Sequence, residues 1–272
     1  MSELLRKNLE ESLSVFQSLF GEVCQIDCLV VLGSGFREFT KNIEISKEAP
    51  FSEIPHFCSP KVAGHGSSVV VSNVDGQRIM VYTGRTHMYE GYSADQVSFP
   101  VRTAIKYGIK NILLTNAAGG LQKKLSPGDI LVLEDQINLT GENCLRGNGS
   151  LLGPQFVDMI NCFDREWRKG ILAKANVKPG SYIGLMGPTY ETPAETKFYG
   201  QSGADVVGMS TVQEVIAARQ MGASVAGLSF VTNLAGGLSS EVNHQDVIEI
   251  GKKKAPELLQ ALKVAIQARP KD

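Results

Sequence analysis

The stretch Cys28-Leu29-Val30-Val31-Leu32-Gly33-Ser34-Gly35 decides the fold class. Five consecutive apolar residues with a β-branched pair in the middle read as a strand buried on both faces, and the Gly-Ser-Gly that follows reads as the loop that leaves it. Runs of the same kind recur at residues 111–115, 129–133, 205–208 and 224–232. Helical patterns lie among them at 97–107, 156–175, 192–201, 211–221 and 243–268, two of these closed by Gly108 and Gly222. Strands that alternate with helices predict an α/β fold with a largely buried sheet. Residues 67–74 and 77–83 flank Asp75-Gly76, a hairpin signal, so the sheet is expected to be mixed. Upstream, residues 1–20 place Leu4, Leu5, Leu9, Leu13, Phe16 and Phe20 on one helical face. The Gly- and Asn-rich stretch 138–154 is a loop long enough to suggest a functional role.

The 272 residues carry 27 Lys and Arg against 28 Asp and Glu. That balance excludes a protein that grips nucleic acid by bulk charge. An apolar share of 43% and a charged share of 20% exclude a disordered chain. No linker or internal repeat interrupts the sequence, so one domain over 1–272 is expected, with 1–25 as an N-terminal amphipathic helix. The cysteines are Cys24, Cys28, Cys58, Cys144 and Cys162, with no C-x-x-C spacing, and the four histidines have no metal-ligand spacing. A reducing cytoplasm, no metal and no membrane partner are the expectation, since no window approaches the ~18 apolar residues of a membrane span and residues 1–20 lack the apolar core of a signal peptide.

Several polar clusters fall at expected strand ends, where ligands bind in open α/β sheets. Gly33-Ser34-Gly35 lacks the third glycine of a dinucleotide fingerprint, because Glu38 stands there, but it offers N–H groups and a hydroxyl to an anion. In Gly84-Arg85-Thr86-His87-Met88-Tyr89-Glu90-Gly91-Tyr92, an extended backbone would point Arg85, His87 and Tyr89 the same way. A guanidinium fork and an imidazole beside two glycines suit an oxyanion better than a plain sheet edge. Asn116-Ala117-Ala118-Gly119-Gly120 is small enough for a ligand to approach its backbone. In Gly187-Pro188-Thr189-Tyr190-Glu191-Thr192-Pro193-Ala194-Glu195, a capping box explains Thr192, Pro193 and Glu195 and leaves Tyr190 and Glu191 for a planar ligand. Around Ser210, pairs with capping-box spacing (Ser210 with Gln213, or Thr211 with Glu214) account for the residues as caps, while a helix N-terminus is also an anion site. Asn233 ends a strand and can read the edge of a base, and His244 opens the last helix. The residues alone therefore point to an oxyanion site (Ser34, Arg85, His87, Ser210) joined to a heterocycle site (Tyr190, Glu191, Asn233).

These motifs, in this order from about Leu32 to the final helix, resemble the trimeric purine nucleoside phosphorylases. The resemblance implies a twisted mixed β-sheet flanked by helices and a homotrimer. It implies phosphorolysis of 6-oxopurine ribo- and 2′-deoxyribonucleosides such as inosine and guanosine, giving free base and (deoxy)ribose 1-phosphate, in purine salvage. Inorganic phosphate would be the co-substrate, with no other cofactor. By the same resemblance, Ser34, His65, Arg85, His87, Ser210 and the backbone of Ala117 hold phosphate. Tyr89, Asn116, Tyr190, Glu191, Met209, Thr232, Asn233 and His244 hold the nucleoside, with Asn233, His87 and Glu191 catalytic. An aspartate at position 233 and a small residue at 244 would mark the related methylthioadenosine phosphorylases; Asn233 and His244 follow the oxopurine pattern. Two departures stand out. Ala63-Gly64-His65-Gly66-Ser67 replaces the family's Pro-Gly-His-Ala-Gly, and Ser150-Leu151-Leu152-Gly153 replaces a stretch that in many members lays a neighbouring subunit's phenylalanine over the ribose. The competing readings are a nucleosidase, which the anion set disfavours, and a catalytically silent nucleoside binder, which has no need of both sets.

Overall fold

The computed structural model describes residues 2–21, 26–60, 66–238 and 244–271. Among them, nine strands belong to one mixed sheet. The deciding stretch is its centre. Strand β1 (Cys28–Val31) is buried at all four residues and runs parallel to both its neighbours, β4 (Gln77–Tyr82) and β5 (Asn111–Gly120). A strand covered on both faces has no use for polar alternation, which is why the run is continuously apolar. The expected hairpin is present: β3 (Ser68–Val74) returns antiparallel into β4 around Asp75 and Gly76.

Strand β2 (Glu44–Pro50) extends that edge, antiparallel to β3. The sequence reading missed it because five of its seven residues are exposed and it carries no apolar stripe. On the other side, β6 (Ile130–Asn138), β7 (Lys178–Gly184), β8 (Val206–Gly208) and β9 (Ser224–Leu234) complete the order β2-β3-β4-β1-β5-β8-β7-β6-β9. β9 also pairs in parallel with β5 along its length, so this half of the sheet closes on itself. The carboxyl ends of β1, β4, β5 and β9, all mutually parallel, meet on one side.

Helices pack on both faces. α1 (Ser2–Phe20), which ends before the expected residue 25, buries Leu5, Leu9, Phe16 and Phe20 in one core cluster with Leu13 packed against it, whereas Leu4, expected on the same face, is 62% exposed. α2 (Ala94–Lys106) starts earlier than expected because Ser93 caps it reciprocally with Gln96. Two expected helices are corrected. Of 156–175, only α3 (Arg165–Leu172) is helical. Ahead of it the side chains of Asp158, Asn161 and Asp164 accept from the backbone N–H of Ile160, Arg165 and Trp167, so they turn the chain instead of continuing a helix. Phe156 and Ile160 are left 88% and 89% exposed. The last helix is two, α6 (His244–Lys253) and α7 (Ala255–Gln267), broken where Pro256 takes a first-turn position. Buried Trp167 ties α3 to α7, its Nε1 donating to the Ala265 carbonyl at 2.7 Å. α4 (Pro193–Gln201) has the expected Thr192–Glu195 capping box, and α5 (Val212–Gln220) follows β8.

Candidate active site

The loops that leave the parallel strands enclose a cleft of about 910 Å³, part of it open to solvent. It is lined by Ser34, Arg85, His87, Tyr89, Asn116, Ala117, Tyr190, Glu191, Met209, Ser210, Thr232 and Asn233. The oxyanion set and the heterocycle set thus share one space. Of the remaining expected residues, His65 lies outside the described residues. His244 is the first residue of α6, and its side chain lies outside them too.

The anion end is built from β1, β4, β5 and the start of α5. Gly33 lets the strands close up: a Cβ there would stand 2.5 Å from the Thr115 carbonyl oxygen and 2.9 Å from Arg85 Nη1. Arg85 is 5% exposed and fixed at two points. Its Nε is 3.1 Å from the Glu214 carboxylate, and its Nη1 donates to the Thr115 carbonyl. Its buried Nη2 has no partner among the described residues. A guanidinium nitrogen left in that state is costly unless an acceptor arrives.

His87 is oriented in the same manner. Glu90 accepts from the His87 backbone N–H at 2.7 Å and sits 3.1 Å from its Nδ1. A carboxylate on Nδ1 favours the tautomer with the proton there, which leaves Nε2 as the second polar atom of the ring. The imidazole stacks on the Tyr89 ring at 4.8 Å between centroids. The expected extended run is corrected beyond His87: residues 88–90 form one 3-10 turn, so Tyr89 reaches the cleft from that turn. Burial, with Glu90 adding to it, pushes the Tyr89 hydroxyl up to about 12, so it remains a neutral donor.

The expected capping boxes at Ser210–Glu214 are not there. Thr211 has φ +72° and makes no side-chain cap. The Val212 N–H donates to the Ser210 carbonyl at 2.8 Å, which closes a γ-turn on Thr211, a rare and strained conformation. Thr211 is held by Asn116, whose Nδ2 donates to its hydroxyl at 2.9 Å, while Ser229 donates to Asn116 Oδ1 at 2.7 Å. The Ser210 N–H donates to the Tyr182 hydroxyl at 3.2 Å. The residues counted as caps have other work. Glu214 braces Arg85, and Gln213 clamps the 138–154 loop, its Nε2 donating to Thr140 Oγ1 at 2.9 Å and its Oε1 accepting from the Cys144 N–H at 2.9 Å. Sequence spacing alone could not separate these roles, because a first-turn carboxylate suits a cap equally well.

The base end is more open. Tyr190 is 46% exposed, just ahead of the Thr192 cap. Partial burial, with Glu195 adding to it, pushes the Glu191 carboxyl above its ordinary range. The amide of Asn233 is oriented at its oxygen, where Thr232 Oγ1 donates to Oδ1 at 2.8 Å. Its Nδ2 donates to the Leu234 carbonyl at 3.0 Å, which uses one of its two N–H groups. Arg37, Thr83 and Val207 also line the cleft and had no motif to announce them.

A cleft lined by both a braced guanidinium and an oriented amide is a place to hold an anion against a heterocycle, and relatives sharpen that reading. Residues 27–267 match the phosphorylase superfamily model. The chain belongs to the phosphorylase superfamily. Within it, the chain is 38% identical to purine nucleoside phosphorylase 1 of Geobacillus stearothermophilus, with 98% of this chain and 99% of the relative covered. The fold matches solved structures of the Schistosoma mansoni purine nucleoside phosphorylase at 34% identity, covering 98% of each chain. The TM-score is 0.88 for its inosine complex and 0.89 for its adenosine complex. The phosphorylase fold expected from the motifs, a mixed sheet flanked by helices, is the one observed.

Proposed function

We propose that this chain is a purine nucleoside phosphorylase that transfers the (deoxy)ribosyl group of 6-oxopurine nucleosides to inorganic phosphate in purine salvage. The observation that carries the reading is that one cleft is lined both by Ser34, Arg85, His87 and Ser210 and by Tyr190, Glu191 and Asn233. Phosphate binds at the first set, with the Ala117 backbone and His65 completing its contacts. Tyr89, Asn116, Met209, Thr232 and His244 surround the sugar and base. Phosphate is the only co-substrate, and no cofactor or metal enters the reaction.

The chemistry follows from the placement. The C1′–N9 bond lengthens and its electron pair leaves with the purine, so the sugar gains oxocarbenium character. A phosphate dianion beneath the ring stabilises that cation, and one of its oxygens then bonds C1′. The proton carried by the phosphate is released as the ester forms, and the departing purine takes one up. Asn233 offers its remaining N–H to N7, where negative charge develops, and is worth most in the transition state. Glu191 accepts from N1–H of a 6-oxopurine. Adenine presents a lone pair there, and a buried polar group left unpaired costs about 1–3 kcal/mol, so turnover favours inosine and guanosine over adenosine. The adenosine complex of the Schistosoma relative concerns binding in that protein, whereas this expectation concerns turnover.

The finer assignments rest on supporting observations. A homotrimer is favoured by Phe156 and Ile160, two large apolar side chains left almost wholly exposed on the segment that follows Ser150-Leu151-Leu152-Gly153. A partner copy would cover them and bring an aliphatic lid to the ribose. A cytoplasmic site suits the free thiols of Cys28, Cys58, Cys144 and Cys162. Among the described residues no helix is long and apolar enough to cross a membrane. Nucleoside, phosphate and further copies of this chain are the partners; nucleic acid and membrane are not. All nine described strands share one sheet, which favours one domain over 1–272. The test is hypoxanthine release from inosine with and without phosphate, beside adenosine. Release that requires phosphate and is slow from adenosine supports the reading. Release without phosphate indicates a hydrolase, and no release indicates a silent binder.

A further inference from the structure

We infer that Arg37 is a further anion-binding residue of the cleft, the one that supplies uncompensated positive charge to the incoming phosphate. The inference rests on the phosphorolysis reading and deepens it.

Among the described residues, the other basic groups of the cleft come with their own acids. Arg85 faces the Glu214 carboxylate at 3.1 Å, and both side chains are 5% exposed. His87 faces Glu90 at 3.1 Å, and that carboxylate is 2% exposed. Each pair gives geometry, an oriented donor, and neither adds net positive charge. A doubly charged anion entering from water loses hydration there and needs more than oriented dipoles to offset the loss. Arg37 lines the same cleft, two residues beyond the Gly33-Ser34-Gly35 loop. Its side chain makes no hydrogen bond or ion pair among the described residues. The neighbouring acid does not neutralise it: Glu38 is committed to Lys41 at 2.8 Å. The loop that carries Arg37 is held from below. Gly35 adopts φ +89°, a Cβ on it would meet the Phe230 ring at 3.0 Å, and a Cβ on Gly251 of α6 would meet Gly35 Cα at 2.9 Å. Arg37 is therefore an exposed, always-charged group on a fixed base in a cleft where Arg85 and His87 already face acids. In the reverse direction it would meet the phosphate group of ribose 1-phosphate in the same way.

The test measures binding of inorganic phosphate to the nucleoside-free protein, at low and high ionic strength, for the native chain and for Arg37→Gln, Arg37→Lys and Lys106→Gln. Arg37→Gln should raise the phosphate Kd roughly two- to fivefold at low salt, the range of an exposed charge pair, with the ratio falling toward one as salt screens it. The KM for phosphate should rise in step while the KM for inosine does not. Arg37→Lys should recover most of the affinity, and Lys106→Gln, which removes equal charge from the exposed end of α2 outside the cleft, should do nothing. A phosphate Kd indifferent to Arg37→Gln at both salts overturns the inference, as does an equal effect of Lys106→Gln. The parent reading fails separately: a chain whose phosphate binding depends on Arg37 but which releases no base from inosine keeps this inference and loses the phosphorolysis.

Discussion

At the anion end of the cleft, Arg85 is held by a carboxylate, a strand carbonyl and a glycine with no room for a Cβ, and Ser210 sits on a strained γ-turn braced by Asn116. At the base end, Tyr190 is nearly half exposed and Glu191 has no cationic partner among the described residues, its carboxyl raised by burial. The first end is part of the core and is assembled before any ligand arrives. The second is a fringe on an intact scaffold and is completed by the ligand. Damage to the anion end should therefore reach the fold, whereas damage to the base end should show only in turnover.

The largest expected effect breaks the anion end. Glu214→Ala leaves a buried guanidinium unpaired, and losing one partner of such a pair costs about 3–5 kcal/mol. Thermal unfolding should show a clear fall in Tm along with weaker phosphate binding; an unchanged Tm would mean that the pair is no brace. Next is Asn233→Ala at the other end. Removal of one preorganised donor to a developing anion lowers kcat about 10²–10³-fold. Little change in KM and none in Tm should accompany it, and a kcat equal to that of the native enzyme would remove Asn233 from the mechanism.

Glu191→Gln should lower kcat/KM for inosine by about 1.5–3 kcal/mol in equivalent rate, the worth of a hydrogen bond to a charged group. Its pH behaviour sharpens the comparison. Burial raises the Glu191 carboxyl, so the ionised, accepting form is lost as pH falls through a value above the ordinary ~4.3. The acid limb of the inosine profile should lie on that side and be absent in Glu191→Gln. Because a carboxylate whose folded pKa is raised works against stability above that pKa, the same variant should match or exceed the native Tm at neutral pH. The smallest effect is Thr232→Val, which frees the Asn233 amide from its 2.8 Å restraint and should reduce kcat by about 1 kcal/mol in equivalent rate without altering phosphate binding.

The buried half of this architecture was legible in the sequence because parallel strands must be continuously apolar, so β1 declared itself; β2, exposed at most of its residues, did not. The Thr192 cap was readable because its partners are local. Glu214 was read as a cap because its real partner, Arg85, is 129 positions away in the chain. Arg37 was invisible for another reason. Nothing local distinguishes a lone arginine after a glycine loop until the other strands bring Arg85, Ser210 and Asn233 into the same cleft. The false helix at 156–164 came from apolar residues at helical spacing, Phe156 and Ile160 among them, that face outward.

The most direct test of the account is the fate of the phosphate itself. Inosine and inorganic phosphate, incubated with the protein and followed by phosphorus NMR, should yield a ribose 1-phosphate signal that grows in step with hypoxanthine. Free ribose beside an unchanged phosphate signal would contradict the account, because water would then be the nucleophile.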